Sequence, residues 1–534
     1  MNTNLPRLSL LLASTATLAA MTGCMIGPNY SAPVVKINPA FTETQAPPTT
    51  QASIVAAVTG PPVEWWTTFR DMELESLIHR AAKQNLSLKQ AASRVRQARA
   101  QRGVTGADLL PNFNLDGGYQ RGHGSNNVEI PLGAFGGSSG SKSPASSGKG
   151  KLTLPNRITP TVNEAANPGG PQSPLGLGGL PGASTDLYQV GFDSTWEIDV
   201  FGGQRRAVEA AIDDIQAARE DHRDVLVSLL AEVARNYVEL RGLQKQQAIA
   251  QENLNAQQQT LDLTKSKFDA GFVTNLDVTR QATQVATTAA VIPALDDQIR
   301  VHIHTLGVLL AEDPNALLDE LTKVQPIPAV PPEIPIGLPS DLLRRRPDVR
   351  RAERQLAAAT ARIGQAQADL LPKFSLTAAL GFDSSRPKAL FDWSSRYWAL
   401  SPGVSWPIFD AGRIQFNIKV TNEQQAQAAD NYQLVVLNAL KDVEDSLASY
   451  RNEQLRHEAL QQAADAAKQS VQLARQQYEQ GITDFITVLD AERDEFGAQD
   501  SLAQSQSAIS TDLIALYKAL GGGWEVMLPE PRNE

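Results

Sequence analysis

The stretch Tyr478–Asp490, with the sequence YEQGITDFITVLD, lies between two long segments of helical periodicity. Residues 413–480 contain no Gly or Pro, and Gly481 follows them directly. Glycine just beyond a helical segment is typical of a helix C-terminus, because it adopts a left-handed conformation without steric cost. We therefore predict that Gly481 turns the chain between two long helices, residues 412–480 and 484–520.

A near copy of this stretch lies 210 positions upstream (481 minus 271), with Gly271 in the place of Gly481. It separates two further predicted helices, residues 204–270 and 274–311. At about 1.5 Å per residue, each of the two longer helices spans on the order of 100 Å. A seven-residue step, which predicts coiled-coil packing, recurs at the same offset in both. Its members are Leu226, Val233, Leu240, Gln247, Leu254, Leu261 and Phe268, then Val436, Val443, Tyr450, His457, Ala464, Val471 and Tyr478.

A second repeated motif introduces segments with a period of two. Residues 107–115 (ADLLPNFNL) are echoed by residues 368–376 (ADLLPKFSL), at an offset of 261 (368 minus 107). The Gly-, Ser- and Pro-rich residues 122–185 predict a long polar loop, which accounts for the difference of 51 between the two offsets (261 minus 210). Alternating apolar and polar residues predict four strands: residues 112–121, 187–199, 373–383 and 397–408.

The two halves therefore form one structural unit written twice, residues 67–312 and 341–520. A Pro-rich linker, residues 313–340, joins them, and residues 521–534 form a C-terminal tail. Hydrophobic content of 42% with only 6% aromatic residues fits helix packed on helix in one elongated domain. The formal net charge of -10 argues against a nucleic-acid partner, since phosphate binding needs a basic surface.

The N-terminus carries the signature of a secreted, lipid-anchored protein. Residues 1–23 predict a signal peptide, whose apolar run is too short to span a bilayer. The sole cysteine, Cys24, follows small residues, so we predict that it becomes the acylated first residue of the mature protein. Residues 24–66 predict an extended tail. The alternative is a simple signal peptide followed by an incidental cysteine.

Four strands of this length can cross a membrane but are too few to close a barrel alone. An open sheet edge leaves backbone groups unsatisfied in lipid, so several chains would have to share one barrel. The alternative is one face of a soluble sandwich. The secretory signal and the one-sided aromatic residues favour lipid contact.

Several motifs, in order along nearly the whole mature chain, resemble one family. They are LLRRRPDVR at residues 342–350, the Leu-Leu-Pro before each strand pair, FDAGR at residues 409–413 and YKALGGGW at residues 517–524. The chain is similar to outer-membrane efflux proteins of the TolC and OprM type, especially their lipid-anchored, NodT-like members.

This resemblance implies a mainly α protein with a transmembrane β-barrel. Three copies would contribute four strands each to a twelve-stranded barrel, continued by a periplasmic α-barrel of long coiled helices. The homotrimer would be a passive exit duct in the bacterial outer membrane for drugs or other small molecules. Its implied partners are a periplasmic adaptor protein, an inner-membrane pump of the RND type and outer-membrane lipid, with no cofactor.

The resemblance also places the site at the second hairpin. Ile486 and Asp490 would form an apolar ring and a carboxylate ring at the periplasmic aperture, and Asp277 and Tyr478 a hydrogen-bonded latch between neighbouring coils. An apolar constriction resists ion leakage, and carboxylates held close together attract cations. The alternative for Asp490 is an ordinary solvated helix carboxylate.

Other functions have weaker support in the sequence. The six histidines are scattered, and no phosphate-binding glycine loop or paired-cysteine motif occurs, so we predict neither an enzyme nor a metal site. The remaining alternatives are an exit duct for type I protein secretion and a lipid-anchored coiled-coil scaffold without a pore. Substrate identity is not encoded in any motif.

Overall fold

The computed structural model describes residues 25–33, 38, 40–42, 54–56, 62–123, 184–331 and 333–527. The predicted signal peptide, Cys24, most of the predicted loop 122–185 and the end of the C-terminal tail lie outside the described residues.

The strands are β1 (Ile54–Ala56), β2 (Asn112–His123), β3 (Ser184–Ile198), β4 (Glu333–Pro335), β5 (Lys373–Ser384) and β6 (Arg396–Ser405). The helices are α1 (Met72–Gln84), α2 (Leu86–Ala107), α3 (Gly203–Asp269), α4 (Asn275–Leu309), α5 (Leu318–Leu321), α6 (Pro339–Arg345), α7 (Pro347–Ala368), α8 (Arg413–Glu479), α9 (Phe485–Ala519) and α10 (Trp524–Met527). Two compact units cut across the predicted repeats. One contains Gly103–Val208 and Gly364–Ile418, and the other contains Pro28–Arg102, Glu209–Ile363 and Lys419–Glu534.

The first unit holds a four-stranded antiparallel sheet in the order β2-β3-β5-β6. Its register aligns Leu115 with Phe192, Phe192 with Leu380, and Leu380 with Trp398. These four side chains form one apolar row across the sheet, and each is more than half exposed, from 56% for Phe192 to 75% for Trp398. The row therefore presents a hydrophobic surface that the described part of the chain does not cover.

The fourth strand is shorter than predicted. It ends at Ser405, so Trp406 and Ile408 lie beyond it, because Pro407 has no N–H to continue the ladder. The Trp406 indole instead donates to the Leu370 carbonyl at 3.0 Å. Its counterpart in the first repeat makes the same contact, from Trp196 to the Leu109 carbonyl, also at 3.0 Å.

Residues of the predicted N-terminal tail and of the predicted Pro-rich linker contribute to the core of the second unit. Strand β1 pairs in parallel with β4. Trp65 and Trp66 are buried, and so are Leu321 and Ile334 from the Pro-rich segment. Trp65 stacks on Tyr517 of α9, with ring centroids 5.4 Å apart. Burial of large aromatic side chains contributes much to stability. Here they occur at too few positions to produce a helical or strand periodicity in the sequence.

The long helices of the two repeats have equal lengths. Helices α3 and α8 each contain 67 residues, and α4 and α9 each contain 35. Gly242 lies inside α3 where a Cβ atom would come within 2.7 Å of Ser507 Oγ on α9, so this glycine permits close helix packing. No helix in the described part of the chain has the length and hydropathy needed to cross a membrane.

Charged side chains join the repeats where α7 packs along α3. The pairs are Arg350–Glu220 (2.9 Å), Arg351–Asp221 (2.8 Å), Arg351–Asp224 (3.1 Å) and Arg362–Asp214 (2.5 Å). The signature arginine Arg346 is nearly buried and donates to Asp348 at 2.6 Å, to Asp442 at 3.1 Å and to the Ala519 carbonyl at 3.0 Å. It therefore ties the start of α7 to α8 and α9.

A pair of carboxyl groups links α1 to α5. Burial, followed by a hydrogen bond with Glu320, raises the pKa of the Glu73 carboxyl to about 7. Arg80 donates a hydrogen bond to Glu320 at 2.9 Å. The charge of Arg241 lowers the pKa of Glu73, and the charge of Asp71 raises it. Because the folded protein binds this proton more tightly than the unfolded chain, its stability falls as the pH rises towards 7, and the loss is complete above that pH.

We predict that Glu73→Gln raises the unfolding temperature of the purified protein at about pH 8, because the amide keeps a donor towards Glu320 at every pH. The gain should shrink as the pH falls to about 5, where the wild-type carboxyl is protonated in the folded protein. Thermal unfolding across this pH range measures it. Glu458→Gln, at an exposed position of α8, is the control and should show no such trend. If Glu73→Gln raised the unfolding temperature equally at all pH values, the proton shared between Glu73 and Glu320 would be contradicted.

Candidate functional site

The two hairpin tips have the same backbone geometry. Gly271 and Gly481 adopt positive φ angles of 80° and 72°. The same two hydrogen bonds close each tip, in the pattern of a Schellman motif. They are Phe272 N to Lys267 O (2.9 Å) and Gly271 N to Phe268 O (2.9 Å), then Ile482 N to Gln477 O (2.9 Å) and Gly481 N to Tyr478 O (3.1 Å).

The tips differ in how the return helix starts. In the first tip Asp277 accepts hydrogen bonds from the backbone and side chain of Thr274, at 3.1 and 2.8 Å, which caps α4. In the second tip the side chain of the N-cap residue Asp484 makes no capping bond, and Thr487 occupies the position equivalent to Asp277. The start of α9 therefore lacks a lock that α4 possesses.

The predicted aperture residues lie on the accessible side of α9. Ile486 is 39% exposed, and the Asp490 side chain is 62% exposed. They are one helical turn apart, so they share a face of α9. The neighbouring side of the helix carries Phe485, Val488 and Leu489, which pack in a small buried cluster. The tip thus buries one apolar face and presents an apolar side chain and a carboxylate on the other.

The predicted latch residues lie close together but are not hydrogen-bonded within one chain. Burial raises the pKa of the Tyr478 hydroxyl, and the charge of Asp277 adds to the shift. The Tyr478 ring packs on Phe485, with centroids 5.5 Å apart, and Lys267 Nζ lies 3.9 Å from the ring centroid. The Tyr478 hydroxyl is buried beside Thr264, whose hydrogen bond acts in the opposite direction on its pKa.

Two charged residues at this site escaped the sequence analysis. Glu492 is almost completely buried and pairs with Arg475 at 2.8 Å. The sequence signal was weak, because Arg475 lies 17 residues earlier and on the other side of the turn. Over the described residues, no group of three or more His, Cys, Asp or Glu side chains is arranged to hold a metal ion.

Comparisons with known proteins define the class to which this fold and site belong. The family model described as "Outer membrane efflux protein" matches residues 77–312 and 338–522. The pyoverdine export outer membrane protein OpmQ of Pseudomonas aeruginosa is 31% identical over 463 residues, which cover 86% of this chain and 88% of OpmQ. Nodulation protein T of Rhizobium leguminosarum bv. trifolii is 28% identical, covering 94% and 95%.

A solved structure agrees with these sequence relatives. The outer-membrane channel OprN superposes with a TM-score of 0.79 at 30% identity, covering 94% of this chain and all of that structure. The fold is therefore that of the outer-membrane efflux channels. The chain belongs to the outer membrane efflux protein family. It is an outer-membrane protein that acts in efflux and not an enzyme, which confirms the resemblance drawn from its motifs.

We predict that Gly481→Ala destabilises the second tip by about 1–2 kcal/mol, the cost of a left-handed conformation for a residue with a Cβ atom. A Cβ atom at this glycine would meet nothing within 4 Å, so steric clashes do not contribute. Amide exchange at Ile482 should accelerate by roughly tenfold. Gly497→Ala, inside α9 with equally open surroundings, is the matched control and should slightly stabilise its helix. Similar effects of both substitutions would contradict a turn-specific role.

Proposed function

We propose that three copies of this chain form a passive exit duct for small molecules across the outer membrane. The observation that carries the proposal is the exposed apolar row Leu115, Phe192, Leu380 and Trp398 across the four-stranded sheet. A row more than half exposed on all four strands fits contact with lipid hydrocarbon. A soluble sandwich would cover this face with a second sheet, and the other sheet among the described residues, β1 with β4, has only two strands of three residues each.

The sheet edges support assembly from several copies. Strands β2 and β6 are the two edges, and each pairs on one side only within the described chain. Unpaired backbone groups in lipid each cost several kcal/mol, so neighbouring copies would close the ring. Three copies would make a barrel of twelve strands, and the long helices α3, α4, α8 and α9 of each copy would make the wall of a periplasmic α-barrel.

The same family membership supports a proposal for the anchor and the partners. Acylation of Cys24 would hold the N-terminus at the membrane, with about 0.8 kcal/mol for each buried CH₂ group. A periplasmic adaptor and an inner-membrane pump of the RND type would supply the substrate and the energy. The relatives include proteins named for pyoverdine export and for toluene efflux, which supports small molecules over secreted proteins as cargo.

We assign the periplasmic aperture to Ile486 and Asp490. Three exposed Asp490 carboxylates brought together would attract cations, and a ring of three Ile486 side chains would resist the passage of water and ions. The equivalent positions of the first tip, Leu276 and Arg280, keep the apolar residue but replace the carboxylate with a cation. Only the second tip would therefore form the carboxylate ring.

We predict that Asp490→Ala weakens block of the channel by divalent cations, whereas Arg280→Ala leaves it unchanged. Single-channel recording of the purified protein in planar bilayers, with added Mg²⁺, measures the block. Both variants remove one exposed charge from a tip, so Arg280→Ala controls for general electrostatic effects. Equal effects of the two substitutions would contradict the asymmetric aperture, and absence of conductance from the wild-type protein would contradict the duct.

We assign the latch to contacts between copies, since Tyr478 and Asp277 are not joined within one chain. We predict that Asp277→Ala combined with Tyr478→Phe raises the single-channel conductance, because the loss of this contact frees the return helices. Thr274→Ala is the control, as it disturbs the α4 cap but leaves both latch residues in place. Unchanged conductance in the double variant would show that the latch does not exist.

A further inference from the structure

Glu492 on α9 makes hydrogen bonds to three other helices. Its side chain is 3% exposed. Oε1 accepts from Arg475 Nη2 on α8 at 2.8 Å and from Thr260 Oγ1 on α3 at 2.9 Å. Oε2 accepts from Gln281 Nε2 on α4 at 3.5 Å. One buried carboxylate therefore joins the second hairpin to both helices of the first.

Glu492 and Asp490 lie on opposite sides of α9. Successive residues of an α-helix are rotated by about 100° around its axis, so the side chains of residues two apart are separated by about 200°. The Asp490 side chain is 62% exposed, while that of Glu492 is buried. The hydrogen bonds of Glu492 therefore hold the back of the segment whose front carries the aperture carboxylate. If α9 moved away from α3 and α4 at this level, Asp490 would move with it.

The interior around Glu492 contains polar side chains beside the small apolar cluster of the tip. Gln257, Thr264 and Gln281 are all buried. Neither polar atom of the Gln257 amide has a hydrogen-bond partner among the described residues. Unpartnered buried amides cost free energy, whereas the bonds of the Glu492 carboxylate to a guanidinium are charge-assisted and strong. The Glu492 contacts with Thr260 and Gln281 are thus one polar attachment between the hairpins near the tips, beside the Arg493–Gln284 bond at 2.8 Å.

The first repeat has no equivalent of this ion pair. At the offset of 210, Ala282 stands in the place of Glu492 and Lys265 in the place of Arg475. Lys265 is 52% exposed and lies 3.8 Å from Asp262 on its own helix. The pair therefore breaks the internal symmetry on the same hairpin that carries Asp490.

We propose that Glu492 is a positioning residue that holds α9 against α3 and α4 and so keeps the periplasmic aperture narrow. This inference rests on the proposed exit duct. The proposed latch joins neighbouring chains, whereas the Glu492 contacts lie inside each chain. The ion pair with Arg475 fixes the rotation of α9 relative to α8, and the bonds to Thr260 and Gln281 fix its distance from the first hairpin. Opening the aperture then requires that the contacts with Thr260 and Gln281 break.

Recordings of the full-length protein in planar bilayers test this proposal. Glu492→Gln should raise the open fraction by on the order of tenfold, the shift expected when charge-assisted hydrogen bonds of ordinary strength are lost. Arg475→Gln should act in the same direction, and the double variant should differ little from Glu492→Gln, because the two residues act as one unit. Glu492→Asp keeps the charge and should restore most of the wild-type behaviour.

Lys265→Gln is the matched control, since it neutralises the equivalent position of the first repeat and should leave the open fraction unchanged. Cation block is a second readout, because general destabilisation of the fold would not change it in the same way. In Glu492→Gln the block by Mg²⁺ should weaken although Asp490 is intact, because the three carboxylates would stand further apart. Thermal unfolding of the same samples identifies any variant that has lost its fold, in which case Glu492→Asp and Arg475→Gln carry the test.

The outcomes separate this inference from the proposed function. If Glu492→Gln keeps the wild-type open fraction and cation block while Asp490→Ala abolishes the block, the duct stands and the positioning role of Glu492 is wrong. If the free-energy change of opening in the double variant equals the sum of the changes in the two single variants, Glu492 and Arg475 act independently. The proposal then also fails. If the wild-type protein forms no channel, the proposed function itself fails.

Discussion

The reversal of each 67-residue helix at a left-handed glycine is the constraint on which the helical part of the molecule depends. Gly271 and Gly481 end their helices with identical hydrogen bonds, 210 residues apart. The two helices of a hairpin pack as a coiled coil only if their heptad positions face each other from the turn onwards. The helices of the two repeats have equal lengths, and residues of both tips line one cavity.

The interior of the second unit changes character along its helices. Near Trp65 and Tyr517 it is aromatic and aliphatic, and the chain segments before α1 and between the repeats pack into it. Near the tips it contains buried glutamine, threonine and one glutamate beside the small apolar cluster with Phe485, Val488 and Leu489. Apolar burial makes the first region cohesive, while the polar region depends on a few directional bonds. The proposed aperture therefore lies where the hairpins are joined by directional bonds as well as by apolar packing.

Much of this architecture was predictable because it repeats. The predicted helix 204–270 and the observed α3 differ by one residue at each end, since a glycine marks each boundary. The segments 24–66 and 313–340 are predicted as a tail and a linker, and their composition gives no sign that single residues such as Trp66 and Leu321 are buried. Burial of such residues arises from contacts distant in sequence, which no local period records.

The sequence by itself determined the duplicated unit, the turns at two glycines and the family, because periodicity and repeated motifs are local properties. Only the tertiary structure decided which carboxylate of the second tip is buried. Asp490 and Glu492 are two residues apart in a segment where both faces of the helix contain polar residues, so hydrophobic contrast could not distinguish them. Glu492 is the buried one because Thr260, Gln281 and Arg475 converge on it from three helices, and these partners meet only in the folded chain.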